Sequence, residues 1–439
     1  MTQHSDVRVP AAEGPRDGGG AANFTVRVKS LSGKLGPGLL FAASAVGVSH
    51  LVQSTRAGAE FGFTMAALIL VTCLVKYPAF RFGAEYAAAT GEPIIEAYAR
   101  SGRWLLVFFL LALAVEGLVA IPAVSLVAAG MTLNLLGVEA NEILVTMAIV
   151  AVTSVALAVG RYRLLERTSK LFVALFAVLT VVATIAAATT LGDGRPLAAA
   201  IPATRENVFF SVAVAGWMPV GMGASVFISL WVCAKSQWLG RRVTPAEARF
   251  DFNVGYTGTV ALALCFLLMG TALLFGRGIE ATESAAGFAG QLVTLFAEAV
   301  GPWVRVVIGV AAVAVMFSTV IAVVDGFARV YANVSRRLLA GIGADAGEER
   351  LYLAFLVAQA VVALVLLMWL FASFGVFIDF ATTAGFVIAP VIAFLNHRVA
   401  GSESIPAADR PPVWLRAWSA AGVAVLTAAS LLYLFFRFG

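Results

Sequence analysis

The chain has 439 residues, 61% of them hydrophobic and only 13% charged, with a mean hydropathy of +0.93. Soluble domains are about 45–50% apolar, so a soluble globular fold is excluded and an integral membrane protein is required. A crossing helix takes about 20 apolar residues, which leaves room for roughly ten to twelve spans in one polytopic domain; the net charge of +5 is explained below by topology, without a nucleic-acid partner.

Residues 1–30 are polar and glycine-rich and lack the apolar stretch of a cleaved signal peptide. They are expected to form a disordered cytoplasmic tail. Apolar blocks follow near 36–55, 62–80, 104–135, 141–160, 168–191 and 208–234, then 252–275, 302–327, 351–372, 374–396 and 415–436. This pattern predicts an all-α membrane protein with eleven transmembrane helices. Cys73, Cys233 and Cys265 fall singly in apolar segments, a spacing that suggests neither disulfides nor a metal knuckle; they are expected to pack.

Basic residues are retained on the cytoplasmic side of a membrane. With the amino terminus inside, 22 Lys and Arg fall in inner segments, against Arg195, Arg205, Arg277 and Arg437 in outer ones. An amino terminus in the cytoplasm of a bacterial-type inner (plasma) membrane is therefore expected, and the positive net charge reflects that topology.

Two spans are interrupted. Residues 45–55, AVGVSHLVQST, bring a glycine, a serine and a histidine into span 1, and residues 214–225, VAGWMPVGMGAS, set Pro219 among Gly216, Gly221 and Gly223 in span 6. Proline removes a backbone donor and clashes with the preceding turn, and glycine eases departure from helical geometry, so span 6 is predicted to break. Broken backbone at bilayer depth survives only where protein buries it or water lines it. Matched interruptions in the two halves of a chain point to a transporter's central site. Spans 1 and 6 stand five apart, which predicts inverted repeats over about 36–191 and 208–396, with 415–436 added. The alternative is that Gly47 and Gly221 only permit close helix packing.

At these residues the chain resembles the Nramp family of proton-coupled divalent metal transporters. Gly36, Pro37 and Gly38 precede span 1 as in that family, RAGAEFGF matches its GG-x-x-FGY run, and EYAAATGEP with IIEAYA is similar to its span 2 to 3 linker. TLNLLG at the end of span 3 and LERTSK before span 5 are similar as well. The resemblance implies a LeuT-like fold, a 5+5 inverted repeat with one span added, and a default activity of Mn- or Fe-like metal uptake coupled to protons. The functional motifs depart from it. Where the family carries DPGN this chain has Gly47, Val48, Ser49 and His50; where the family carries A-x-x-MPHN, Ala215, Met218 and Pro219 match, but Val220 and Gly221 replace the histidine and asparagine. Glu116 is the only carboxylate in the span 3 segment VEGLVAIPAVSLVAAG, where family members carry acids on a proton route.

A divalent cation at the midplane needs compensation for lost hydration, normally a carboxylate with neutral donors. The substrate-binding candidates are Gly47, Ser49, His50, Ala215, Met218 and Gly221. Met218 and His50 are the metal-ligand candidates, a thioether and an imidazole that suit a soft transition metal. His50, with an unperturbed pKa of about 6.5, can carry a proton, bind substrate or serve as a hydrogen-bonded structural residue. The coupling or gating candidates are Arg56, Glu116, Ser318, Thr319, Asp325, Arg329 and Thr382. Arg56, about 13 Å of helix beyond Gly47, is expected to snorkel to the headgroups; turned inward, it and the half-helix amino ends would favour an anion or zwitterion.

Asp325 and Arg329 are i and i+4 and can pair. Ser318 and Thr319 lie in span 8, where the LeuT-like resemblance implies a coupling-ion site, and Asp379, Thr382 and Thr383 are cavity candidates in span 10. Thr244, Pro245 and Glu247 read as an amino cap. No nucleophile–base pair, phosphate loop or metal-ligand run occupies a loop long enough for a soluble active site, so no enzyme is expected, and no cofactor beyond a transported metal ion or a coupling proton. The expected partners are the lipid bilayer and a small solute or metal ion. Three functions stay open: metal uptake as in the Nramp family, transport of a small anion or amino-acid-like solute because Gly47 stands at the metal-binding Asp position, and a transport-dead sensor that keeps the scaffold.

Overall fold

The computed structural model describes residues 35–438 apart from 193, 195, 278–281, 283, 341–346 and 371–372, and apart from the side chains of 160–170, 192 and 370. The tail expected over 1–30 lies outside the described residues. Pro37 opens the first helix, where its missing N–H would have had no helical partner, and the chain leaves α-geometry at Gly47. α1 (Pro37–Ala45) is followed by a π-helical segment, Val48–Ser54, and α2 (Thr55–Phe61). Then come α3 (Thr64–Thr90), α4 (Ile94–Ser101), α5 (Arg103–Leu136), α6 (Glu142–Ala188), α7 (Arg205–Gly216) and α8 (Ala224–Leu239). The rest are α9 (Pro245–Leu273), α10 (Ala285–Val300), α11 (Val304–Ala340), α12 (Glu348–Leu370), α13 (Phe374–Ala400) and α14 (Val413–Phe438).

Ten stretches among the described residues are long and apolar enough to cross a membrane, and α6 carries two of them, Glu142–Val159 and Leu171–Leu191. α7 and α8 have 12 and 16 residues, each too short for a hydrocarbon core of about 30 Å, and they flank the break expected in span 6. The α1–α2 crossing is central, with 94% of its apolar window buried. α12 and α14 are peripheral, at 22%, and turn Val361, Trp369, Leu431 and Phe435 outward, as lipid-facing helices do.

Four elements differ from the hydropathy reading: the blocks 141–160 and 168–191 share the one continuous helix α6, α11 carries the block 302–327 on to Ala340, and span 2 and α10 also depart from it. Span 2 runs on to Thr90 because Arg81 and Glu85, i and i+4, pair at 3.0 Å and carry the helix past the apolar block. Between spans 7 and 8, α10 packs Phe288, Leu292, Val293 and Phe296 against the bundle, touching α5, α6 and α11. Its apolar stripe has helical period, but at 16 residues it is too short to register as a crossing.

The near face, where α1 begins, is tied by backbone contact. A Cβ at Gly38 would lie 2.0 Å from the Asp251 carbonyl oxygen, and one at Gly255 2.1 Å from that of Gly38, so only glycine lets α1 and α9 touch this closely. The Asp251 carboxylate caps α1, accepting from the Gly36 and Gly38 N–H groups at 3.1 and 3.0 Å. α9 has the cap expected from its sequence: Thr244 Oγ1 accepts from Glu247 N–H at 3.2 Å, and Glu247 accepts from Thr244 N–H at 3.0 Å. Asp251→Ala leaves two buried donors without this acceptor. It is expected to destabilise the protein by about 1–3 kcal/mol, with deuterium exchange rising first over residues 36–45; unchanged exchange there would rule out the anchor.

Candidate functional site

Each break is closed by side chains from other helices. At the first, Gly47 (φ −135°, ψ −124°) ends the α-helical run, and Thr319 of α11 donates to the Ala43 carbonyl at 2.7 Å, with the Val46 oxygen 3.3 Å away. The carbonyl end of α1 is thereby satisfied by a neighbour. A Cβ on residue 47 would lie 2.8 Å from Thr319 Cγ2, so glycine is what lets α11 approach.

Ser49 links the two breaks. Its Oγ lies 2.8 Å from the Ala45 oxygen, 3.0 Å from the Pro219 oxygen and 2.8 Å from His50 Nδ1. His50 Nε2 is 2.8 Å from the Thr259 carbonyl of α9, which can only accept, so Nε2 carries the proton. In a neutral imidazole Nδ1 then accepts, and one hydroxyl hydrogen serves three acceptors. Both ring nitrogens of His50 are engaged, and the residue is fully buried.

At the second break Pro219 and its flanking glycines leave Trp217–Gly223 outside helical geometry, and two charges bracket it. The Lys76 ammonium, from the middle of α3, donates to the Ala215 and Gly216 carbonyls at 2.7 Å each, at the carbonyl end of α7. The Glu116 carboxylate, from α5, accepts from Gly223 N–H at 3.3 and 3.2 Å through its two oxygens, at the amide end of α8. Each charge meets a helix pole of opposite sign.

Between the breaks lies a cavity of about 30 Å³, room for about two waters. Its wall is mostly apolar, including Val124, Phe227, Val323 and Phe327, and its polar side chains are Ser44, Ser49, Glu116 and the Trp217 indole. Trp217 Nε1 is buried without an acceptor. A space of this size admits nothing larger than a small ion unless the breaks part.

Charged clusters flank the cavity. On the far side Arg56 grips Asp379 of α13 at 2.7 and 3.2 Å and lies over the Phe210 ring, 5.1 Å from its centroid. Gln53 donates to Asp379 and Thr382 at 3.0 and 3.1 Å and accepts from Arg56 at 3.1 Å. The snorkelling expected of Arg56 does not occur, because a bidentate carboxylate within reach is the better partner. Toward the near face, buried Asp325 accepts from Arg329 at 2.7 Å, Trp231 Nε1 at 3.1 Å and the Tyr352 hydroxyl at 2.8 Å, joining α11, α8 and α12. Further out, Arg249 pairs with Glu85 at 2.5 Å and Arg337 Nε with Glu96 at 2.8 Å.

Of the sequence candidates, Gly47, Ser49, the Ala215 carbonyl, Gly221, Glu116 and Thr319 come together at the breaks. Met218 is fully buried and, like His50, is not on the cavity wall. Among the described residues no three or more His, Cys, Asp and Glu side chains are grouped to hold a metal. Ser318 donates back to Val315 of its own helix at 2.7 Å, and Arg56, Thr382, Asp325 and Arg329 belong to the flanking clusters. Lys76, Gln53 and Trp217 complete the site without having been among the sequence candidates. Lys76 did carry a signal, since a lysine within the apolar run LVTCLVKYPAF is an intramembrane charge and marks function by default.

No family model matches the sequence. An uncharacterized protein of Pasteurella multocida (strain Pm70) is 33% identical over 412 residues, which cover 91% of this chain and 91% of that protein. Among solved structures, the manganese transporter of Eremococcus coleocola, in complex with an aromatic bis-isothiourea substituted compound, matches with a TM-score of 0.66 at 13% identity, over 92% of this chain and 87% of that one. MhsT in complex with L-phenylalanine matches at 0.61 and 15% identity, over 91% and 98% of the two chains. Mhp1, a nucleobase-cation-symport-1 family transporter in a closed conformation, matches at 0.54 and 17%, over 91% and 90%. At such identities the likeness is one of fold, and that fold is LeuT-like.

Gly47→Asp, which places a carboxylate where the resemblance has one, is expected to push Thr319 aside and destabilise the protein by about 1–3 kcal/mol. The readout is a lower melting temperature in detergent, largely recovered by adding Thr319→Ala. Undiminished stability of the single variant would contradict the tight approach of α11.

Proposed function

We infer function on the premise that the chain belongs to the same family as the Pasteurella multocida protein and has the LeuT-like fold. We propose that it is a secondary transporter of eleven crossings, the α7–α8 pair being the sixth, and that its cargo is a small zwitterionic, amino-acid-like solute. The observation that carries this reading is the Glu116 carboxylate resting on the Gly223 amide in a mostly apolar cavity where no other side chain is acidic or basic. A zwitterion inserted between them replaces one charge-assisted contact by two of matching sign. Its ammonium meets Glu116, and its carboxylate meets the amide end of α8. Its side chain then lies against Val124, Phe227, Val323 and Phe327.

A hard divalent cation takes about six or more oxygen ligands. At this break it would meet one carboxylate, the positive pole of α8 and the Lys76 ammonium, which already holds the Ala215 carbonyl. The fold accommodates both cargo classes, since MhsT was solved with L-phenylalanine and the Eremococcus coleocola protein is a manganese transporter. The chemistry of this cavity favours the organic one. The Arg56–Asp379 and Asp325 clusters lie on opposite sides of the site, where alternate parting would expose it to one face at a time. The basic residues concentrated in near-face segments support a cytoplasmic near face.

Purified protein in liposomes is expected to take up radiolabelled L-amino acids saturably, while radioactive manganese enters no faster than into empty liposomes. Glu116→Gln should slow amino-acid uptake by at least about tenfold, the equivalent of ~1.4 kcal/mol. Manganese uptake abolished by Glu116→Gln would overturn the solute reading in favour of metal, and no flux of either would favour the sensor.

A further inference from the structure

The second break holds a buried cation that the cargo reading leaves without a task, and its role rests on that reading of the chain as a transporter. We propose that Lys76 is the coupling-ion carrier: its ammonium occupies the carbonyl end of α7, where a free coupling cation would bind, and the ion coupled to transport is the proton that Lys76 gains and loses.

The carbonyl end of a broken helix attracts cations because the unwound carbonyls and the negative helix pole converge there. Here the Ala215 and Gly216 oxygens both lie 2.7 Å from Lys76 Nζ, and Lys76 has no solvent exposure. The position is therefore filled by a cation that cannot diffuse away, because it is bonded to α3. A sodium ion would have to share the same two oxygens at like charge. A tethered cation can complete a cycle only by exchanging its proton. The first break makes the contrast, since its carbonyl end is closed by the neutral Thr319 hydroxyl.

The titratable groups beside Lys76 are the neutral Cys73 thiol, one turn earlier on α3, and the Glu116 carboxyl on α5. Tyr256 of α9 donates to the Cys73 carbonyl at 2.5 Å, α7 presents the two carbonyls, and α2, α4, α8, α13 and α14 also pack on α3. Lys76 and Glu116 are thus both buried, one at each end of the break. When the break parts and cargo engages Glu116, the ammonium loses its oxygen partners in a low-dielectric wall, where an unpaired ion is costly. The Nζ–H bond then breaks, the electron pair stays on nitrogen, and the proton passes to water admitted from the open face. Closing α7 again requires a proton, which the amine takes up while the site is open to the opposite face, so that one proton crosses the membrane per cycle.

The test needs no knowledge of the cargo. With Cys73, Cys233 and Cys265 replaced by alanine, Ser44→Cys places a thiol on the cavity wall. Its labelling by a water-soluble maleimide is followed in nanodiscs from about pH 6 to about pH 10, a range that brackets free lysine, and normalised to the same thiol in unfolded protein. Raising the pH removes the proton that holds α7, so labelling should climb severalfold with Lys76 present. It should be flat across pH in Lys76→Met. It should stay at the closed level in Lys76→Arg, whose guanidinium keeps its proton and which retains a cation for the carbonyls should the methionine variant not fold. The same rise in Lys76→Arg as in the unmodified site overturns the proposal.

In liposomes a pH gradient, and not a sodium gradient, should concentrate labelled L-amino acids, and Lys76→Arg should abolish that concentration. Sodium-driven accumulation that survives Lys76→Arg also overturns it. A Lys76-dependent labelling profile without amino-acid uptake removes the cargo reading and leaves the proton carrier standing, whereas uptake with a Lys76-independent profile does the reverse.

Discussion

A peptide group released from a helix at bilayer depth has no water to turn to, so its partner must come from the protein. The stretch Trp217–Gly223 and the departure at Gly47 impose that demand twice, and the bundle is arranged to meet it. Thr319 serves the carbonyl end of α1, Lys76 that of α7, Glu116 the amide end of α8, and Ser49 lies between Ala45 and Pro219 across the two breaks. Three of these four come from helices that are themselves unbroken. The breaks and their partners are therefore one unit, and a change at any partner acts on both half-helices.

Such partners reach their targets only because helices touch through backbone. A Cβ at Gly83 would lie 1.8 Å from the Ser225 oxygen, which presses α3, the carrier of Lys76, onto α8; one at Gly216 would lie 1.9 Å from the Thr382 oxygen, which seats the end of α7 on α13. Gly221 gives way to Glu116 in the same manner, its missing Cβ standing 2.0 Å from the carboxylate oxygen. In a membrane, where lipid is as apolar as leucine, this close packing stands in for the hydrophobic drive of a soluble core.

The flanking ion pairs play a different part. Arg56 and Asp379 keep side-chain exposures of 18% and 33%, so solvent screening limits what the pair adds to stability. It is a contact that opening can break at modest cost. Asp325 is fully buried with donors from three helices, and removing one partner from such a group typically costs about 3–5 kcal/mol. The far side is thus held by the looser of the two clusters.

What the sequence by itself determined is what depends on near neighbours along the chain. Apolar runs marked where the long apolar helices lie, Pro219 and its glycines placed the second break, Thr244 with Glu247 announced a helix start, and Asp325 with Arg329 announced a pair one turn apart. Spacing of this kind survives in any fold that keeps the helix. It was silent on α10, whose 16 residues have the period of a helix without the length of a crossing, and it left the direction of Arg56 open. The tertiary structure alone decided which side chain meets which break. Lys76 lies 139 residues from Ala215, Glu116 lies 107 from Gly223 and His50 lies 209 from Thr259. Those pairings follow from how whole helices pack, and no periodicity within a single segment encodes the identity of a neighbour that far along the chain.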